Sequence, residues 1–361
     1  MGPIVTPIVV LSSVGAGLAI ILVLAERYLA SYGECRIKVE GEKEIVVEGG
    51  ETLLASLMDN GIFVPSACGG KGTCGTCKVQ IFNKGAGEPL ATEIPYLSKE
   101  DLENGFRLSC LVKVKNDLEV SVPKIHEFRT IVTKIEDLTH DIKSIIFELQ
   151  DGETIDFKPG QYVMMRMPGT EEEPVMRAYS IASKPSDNHV VELLIRLVPG
   201  GLMTTYVFTE LKVGDEVYLS GPYGEFYLRE DSDKDIICVG GGSGVAPIKS
   251  IITHLFEKDT DRKVTYYFGA RAVKDLYFYK ECLELKEKYP NFRFITALSD
   301  LDEGDQWDGD TGFIHLVIEK YLEDGEDMES YMCGPPPMID AAIDMLVEKD
   351  MDEDDIYFDK F

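Results

Sequence analysis

Four cysteines carry the most specific chemistry in this chain. Five residues separate Cys68 from Cys74 and two separate Cys74 from Cys77, while Cys110 stands alone downstream. The loop between them is crowded with glycine: Gly69, Gly70, Gly72 and Gly75. Glycines let the backbone come close to a buried group and turn its N–H donors inward, which is what the sulfides of an iron–sulfur cluster need. Plant-type [2Fe–2S] proteins space their ligands C-x₄-C-x₂-C with a distant fourth cysteine, so the first gap here is one residue longer than that pattern. Structural zinc usually pairs two C-x₂₋₄-C knuckles, which the solitary Cys110 does not supply. A disulfide framework belongs to small secreted domains, and this chain has 361 residues. Cys68, Cys74, Cys77 and Cys110 are therefore read as cluster ligands. A second feature is Val239-Gly240-Gly241-Gly242-Ser243-Gly244, which joins an apolar strand to a helix. Glycines at such a junction admit the phosphate or nicotinamide side of a nucleotide. As a bare glycine run it is weak, since it lacks the G-x-G-x-x-G spacing.

The elements that must position these residues follow from periodicity. Arg36–Glu40 alternates with period two, Glu44–Val47 resumes after a turn, and Thr52 caps a short helix ending near Asn60-Gly61. The cysteine loop and the strand Lys78–Ile81 come next, an order that suits a ferredoxin-sized α+β unit. From Phe128 to about Arg229, short alternating strands separated by Gly and Pro turns predict a small antiparallel β-barrel, interrupted by one helix from Met203 to Leu211. From Lys234, buried strands alternate with helices, which predicts a doubly wound, parallel α/β sheet. The domains expected are a membrane anchor at 1–30, a ferredoxin domain at 31–125, the barrel at 126–230 and a nucleotide domain at 231–361.

The anchor is expected from Ile4–Leu24, an apolar run with no charged side chain before Glu26. About 20 such residues at 1.5 Å each cross a ~30 Å hydrocarbon layer. A cleaved signal peptide fits less well, for the run lacks a basic leader and a good cleavage site. A formal net charge of −28 repels phosphate backbones, so nucleic acid is not an expected partner.

The chain resembles the F subunit of the sodium-translocating NADH:quinone oxidoreductases over nearly its whole length. The resemblance rests on Ser66–Gly70, Arg177–Ser183, Gly221–Phe226 and Trp307–His315. That family carries C-x₅-C-x₂-C, so the longer gap becomes the expected one. Its two C-terminal domains are also those of the wider ferredoxin-reductase superfamily. The resemblance implies FAD, NADH and a [2Fe–2S] cluster; spacing alone leaves FAD and FMN open. It implies that Arg177, Tyr179 and Ser180 form the flavin motif, with the arginine on the pyrophosphate, the tyrosine against the ring and the serine near N5. Gly200, Gly201, Thr204 and Thr205 resemble a second phosphate element. Gly240, Gly241, Gly242, Gly244, Gly334 and Pro335 would bind NADH, with Cys333 near the nicotinamide and Phe361 over the flavin ring. Asp359 resembles an acidic position near the nicotinamide. Ser299 and Asp300 would meet the adenosine ribose, where a carboxylate accepts from the 2′-OH and repels a 2′-phosphate; Arg271 would meet the adenine-side phosphate. A single-pass protein of the inner (cytoplasmic) membrane follows, with a cytoplasmic body, other membrane subunits as partners and an acceptor protein or quinone downstream. Reductase components of oxygenases use the same modules, and a nucleotide-binding redox sensor is a further alternative.

Overall fold

The computed structural model describes residues 32–361, apart from 42–43, 67, 124–125 and 170–174, together with Gly15 and Gly17. But for those two glycines, the expected anchor at Ile4–Leu24 lies outside the described residues. Among the described residues no helix is long and apolar enough to cross a membrane. The chain divides into two compact units, Met1–Lys124 and Ile125–Phe361.

In the first unit, strands β1 (Glu34–Val39), β2 (Glu44–Glu48), β3 (Lys78–Ile81), β4 (Phe106–Leu108) and β5 (Leu118–Ser121) form one sheet ordered β2-β1-β5-β3-β4. β1 pairs antiparallel with β2 and parallel with β5. The alternation read in the sequence is the burial pattern: Cys35, Ile37 and Val39 point inward and their neighbours outward. Thr52 caps the helix Leu53–Met58 by accepting from the Ala55 N–H, and Leu53, Leu54 and Leu57 are among its buried residues. They share one core with Val79, Leu108, Cys77 and Cys110.

The second unit begins with β6 (Glu127–Asp137), β7 (Ile142–Leu149), β8 (Tyr162–Arg166), β9 (Met176–Ser180), β10 (Val190–Arg196) and β11 (Glu216–Tyr223), ordered β10-β7-β6-β11-β8-β9. Every pairing is antiparallel. An antiparallel bridge between Ile181 and Leu193 joins the two edges, so the sheet closes on itself and has no free edge there. The expected helix forms at Leu202–Thr209. There follow β12 (Asp235–Gly240), β13 (Val264–Ala270), β14 (Phe292–Leu298), β15 (Asp310–Thr311), β16 (Met328–Gly334) and β17 (Ile356–Lys360). They form a wholly parallel sheet ordered β15-β14-β13-β12-β16-β17. Helices Val245–Glu257 and Tyr279–Lys288 supply one apolar layer, and Ile314–Tyr321 and Pro336–Glu348 supply the other. The chain winds outward from β12 to β15, then returns to β16 on the opposite side. The strand order thus reverses between β12 and β16, and such a switch point opens a crevice at the carboxyl ends of the strands.

Candidate cofactor sites

The four cysteines fall into two pairs. Cys77 Sγ and Cys110 Sγ lie 3.2 Å apart. Cys68 is tied to Cys74, whose Sγ accepts from the Cys68 N–H at 3.4 Å and lies 3.0 Å from Thr76 Oγ1. The Cys77–Cys110 pair is fixed by the β3–β4 ladder, where Lys78 faces Leu108. One step on, the Ser109 N–H and hydroxyl both donate to the Cys77 carbonyl, each at 2.9 Å. The other pair hangs on the glycine loop, where Gly69, Gly70, Gly72 and Gly75 all have φ between 63° and 86°. Partial burial works against a thiolate at Cys68, but hydrogen bonds from Thr73, Cys74 and Lys71 outweigh it and bring its pKa down to about 6. The hydrogen bond shared with Cys110 lowers Cys77 to about 7 and pushes Cys110 up. Burial raises Cys74 as well, so in each pair one thiol ionises readily while its partner holds its proton until a metal displaces it, since metal ligation needs thiolates. Among the described residues no group of three or more His, Cys, Asp or Glu gathers around a point for one ion. Two cysteine pairs suit a binuclear centre in which each iron takes two thiolates.

In the second unit Arg177 lies exposed on β9, with Nη1 donating to the Met176 carbonyl at 2.7 Å. Tyr179 is half-buried, and that burial raises its phenol well above the ordinary range despite the nearby Arg177. Ser180 pairs with Tyr162 on β8. Gly200 takes φ 73°, and Gly201 opens the helix Leu202–Thr209. Thr204 is buried there: its hydroxyl receives the Val198 N–H at 3.1 Å and lies 3.3 Å from the Val198 and Gly201 carbonyls. The hydroxyl closes the loop itself, and Thr205 is the exposed threonine at that helix start.

At the switch point Gly240 faces Cys333 across β12 and β16, and Cys333 faces Asp359 across β16 and β17. Gly244 touches the same strand end: a Cβ there would stand 2.1 Å from the Cys333 carbonyl oxygen. A Cβ on Gly241 would stand 2.3 Å from the Gly269 oxygen. Gly334 takes φ 150°, and Pro335 leads into the helix Pro336–Glu348. Cys333 is fully buried; that burial and Asp359 keep its thiol protonated, far above the ordinary range. Burial raises Asp359 to about 6. Phe361 is 55% exposed, and its N–H donates to the Gly334 carbonyl at 3.3 Å. Ser299 and Asp300 lie past the end of β14, their N–H groups donating to the Ala270 and Arg271 carbonyls at 3.0 and 2.8 Å. All three side chains there, Arg271, Ser299 and Asp300, are exposed. From β16 to β14 is three strand spacings, about 14 Å at ~4.8 Å each, a span on the scale of a dinucleotide.

Barrel and sheet are coupled at residues that sequence patterns do not reveal. The buried Ser250 hydroxyl, on the helix that follows the glycine turn, donates to the Ser183 carbonyl just past β9 at 2.6 Å. Lys249 donates to both Glu192 oxygens, at 2.8 and 2.6 Å. Arg196, held by Asp141 at 2.7 Å, reaches within 3.6 Å of a Gly242 Cβ position. In the first unit the buried pair Glu93–Arg107 was equally hidden, although an arginine three residues before Cys110 in an otherwise apolar strand is a usable signal.

Three family models match the chain: the 2Fe-2S iron-sulfur cluster binding domain over residues 37–115, the oxidoreductase FAD-binding domain over 129–227 and the oxidoreductase NAD-binding domain over 238–344. The chain is 35% identical to the F subunit of the Na(+)-translocating NADH-quinone reductase of Neisseria meningitidis, covering 99% of each. It is 34% identical to the corresponding F subunit of Methylococcus capsulatus, covering 97% of each. Among solved structures it is similar to the Amycolatopsis cytochrome P450 reductase, with TM-score 0.67 and 31% identity over 91% of this chain and 98% of that one.

Proposed function

The chain belongs to the family of the F subunits of the Na(+)-translocating NADH-quinone reductases, and on that premise we propose how its residues serve an electron-input subunit. The protein is an NADH-dependent oxidoreductase with FAD and a [2Fe–2S] cluster. When bound, the flavin takes electrons from NADH as a pair and yields them singly, and the cluster carries one electron at a time.

The protein's own part is binding and alignment, because hydride transfer needs close approach more than acid–base help. Arg177 holds the flavin pyrophosphate, Tyr179 lies against the ring, and Ser180 faces its reactive edge. Gly201 and Thr205 offer donors to the phosphates; Thr204 braces their loop. Gly240, Gly241, Gly242 and Gly244 floor the nicotinamide crevice with Gly334 and Pro335. Cys333 stays a neutral thiol there, so it shapes the crevice without placing a negative charge in it. Phe361, exposed just past the end of the chain's last strand, would cover the flavin ring. Ser299 and Asp300 take the adenosine ribose, which favours NADH over NADPH, and Arg271 the neighbouring phosphate. Cys68, Cys74, Cys77 and Cys110 hold the cluster.

The observation that carries this reading is the joining of the two nucleotide-binding elements. Gly244 rests on the Cys333 carbonyl, and the helix starting there is bonded through Ser250 to Ser183, beside the flavin strand. One rigid junction therefore sets both the nicotinamide floor and the flavin wall. The protein works with the other subunits of a membrane-associated complex, anchored by residues 1–30 as a single pass of the inner membrane with its body in the cytoplasm, and passes electrons toward quinone. Membranes containing the complex test this: NADH-driven quinone reduction stimulated by sodium supports it, and removal of residues 1–30 should release the body into the soluble fraction. Sodium-independent delivery to a soluble oxygenase would favour the other reading, for which the reductase likeness speaks.

A further inference from the structure

Glu93 is wholly buried in the first unit, and Arg107 is 5% exposed. Their carboxylate and guanidinium meet through three contacts: Nε donates at 3.0 and 3.2 Å and Nη2 at 2.6 Å. Glu93 also accepts the Leu108 N–H at 3.0 Å and the Leu90 N–H at 2.8 Å. Arg107 also donates through Nη1 to the Gly87 carbonyl at 2.8 Å and through Nη2 to the Glu88 carbonyl at 3.2 Å. Removing two opposite charges from water is expensive, and a well-packed apolar pair often serves stability as well or better. Stability is therefore a poor reason for such a pair, and its placement supplies another. Arg107 and Leu108 end β4, two residues before Cys110. On the far side of Glu93, the turn Ile94–Tyr96 leans on the three-cysteine loop, where a Gly75 Cβ would stand 3.0 Å from the Tyr96 Cβ. The segment 87–97 thus touches both the loop bearing three ligands and the strand that leads to the fourth, and Glu93 is its anchor.

We propose that Glu93 and Arg107 are positioning residues of the cluster, fixing Cys110 against the Cys74–Cys77 loop. The inference rests on the cluster reading of the four cysteines. Outer partners of metal ligands typically alter affinity ten- to hundredfold when lost. In the holoprotein, Arg107→Met should make cluster loss to an iron chelator about tenfold or more faster and displace the g-values of the reduced cluster, with Arg107→Lys recovering part of both. Because the pair lies in the first unit, resistance of that unit to limited proteolysis serves as the folding control. The double variant Glu93→Leu/Arg107→Met separates positioning from stability. It should regain the melting temperature lost in the single variant while its g-values and midpoint potential stay displaced. A double variant with wild-type g-values, potential and chelation rate overturns the proposal. A wild-type protein with no iron, sulfide or EPR signal after anaerobic reconstitution would instead refute the cluster reading itself.

Discussion

Gly244→Ala tests the junction most sharply. Gly244 has φ −64° and ψ −9°, a helical conformation open to any residue, so backbone freedom does not require glycine there. Space does. The added Cβ would stand 2.1 Å from the Cys333 oxygen, 2.5 Å from its carbonyl carbon and 2.8 Å from the Gly334 nitrogen, where ordinary contact begins at 3.4 Å. The glycine turn and the β16 end must then part by about 1.3 Å at the closest pair. Overpacking of this kind costs about 1–3 kcal/mol of stability. A misplacement near 1 Å in a reacting pair costs roughly 10²-fold in rate. Anaerobic stopped-flow absorbance should show flavin reduction by NADH slowed about a hundredfold, with flavin content retained. Gly242→Ala is the contrast: its φ of 54° makes alanine strained by about 1–2 kcal/mol, but the nearest atom lies 3.6 Å away, so reduction should slow less than tenfold. If Gly244→Ala reduces its flavin within twofold of the wild type at an unchanged melting temperature, the junction does not set the hydride geometry.

Further outcomes follow from other residues. Cys74→Ser should abolish the [2Fe–2S] signal while NADH-to-dye activity persists; loss of both would refute the separation of cluster and flavin functions. Asp300→Asn should raise the KM for NADH about tenfold, the worth of a hydrogen bond to a charged acceptor, and should improve use of NADPH; unchanged selectivity would place the ribose elsewhere. Burial raises Asp359 from the ordinary 3.8 to about 6, so ionising it costs the folded state. That penalty is absent below about pH 4, grows between roughly pH 4 and 6 and is complete above, reaching roughly 1–3 kcal/mol. Asp359→Asn should accordingly raise the melting temperature at pH 7 by about 2–4 °C per kcal/mol and leave it unchanged near pH 4. Equal shifts at both pH values would show that the carboxylate is not desolvated.

Much of the fold was legible because its patterns are local. Period-two alternation marked β1, and its inward residues are the ones buried. Thr52 marked its helix through a cap. The apolar run in β12 and the glycines after it announced a strand–turn–helix. Among the elements that escaped, three-residue β4 and two-residue β15 are too short to show a period, and β16 and β17 are near-continuous apolar or mixed runs with no clean alternation. The spacing of Cys68, Cys74 and Cys77 pointed to the [2Fe–2S] domain that the family model matches over residues 37–115, because three of the proposed ligands are neighbours in sequence. The pairing of Cys77 with Cys110 needed the β3–β4 ladder, a long-range contact with no sequence period. Ser250–Ser183 and Glu93–Arg107 join segments 67 and 14 residues apart, and neither has a motif. Thr204 illustrates the converse. Its residue type suited a phosphate donor, yet the bend at Gly200-Gly201 brings the Val198 backbone onto the hydroxyl first.

The most direct measurement of the whole account is an anaerobic titration of the purified protein with NADH, followed by visible and EPR spectra. The account predicts that the flavin bleaches and that the signal of a reduced [2Fe–2S] cluster then grows in the same sample. Flavin bleaching with no such signal, in protein shown to contain iron and sulfide, would contradict it.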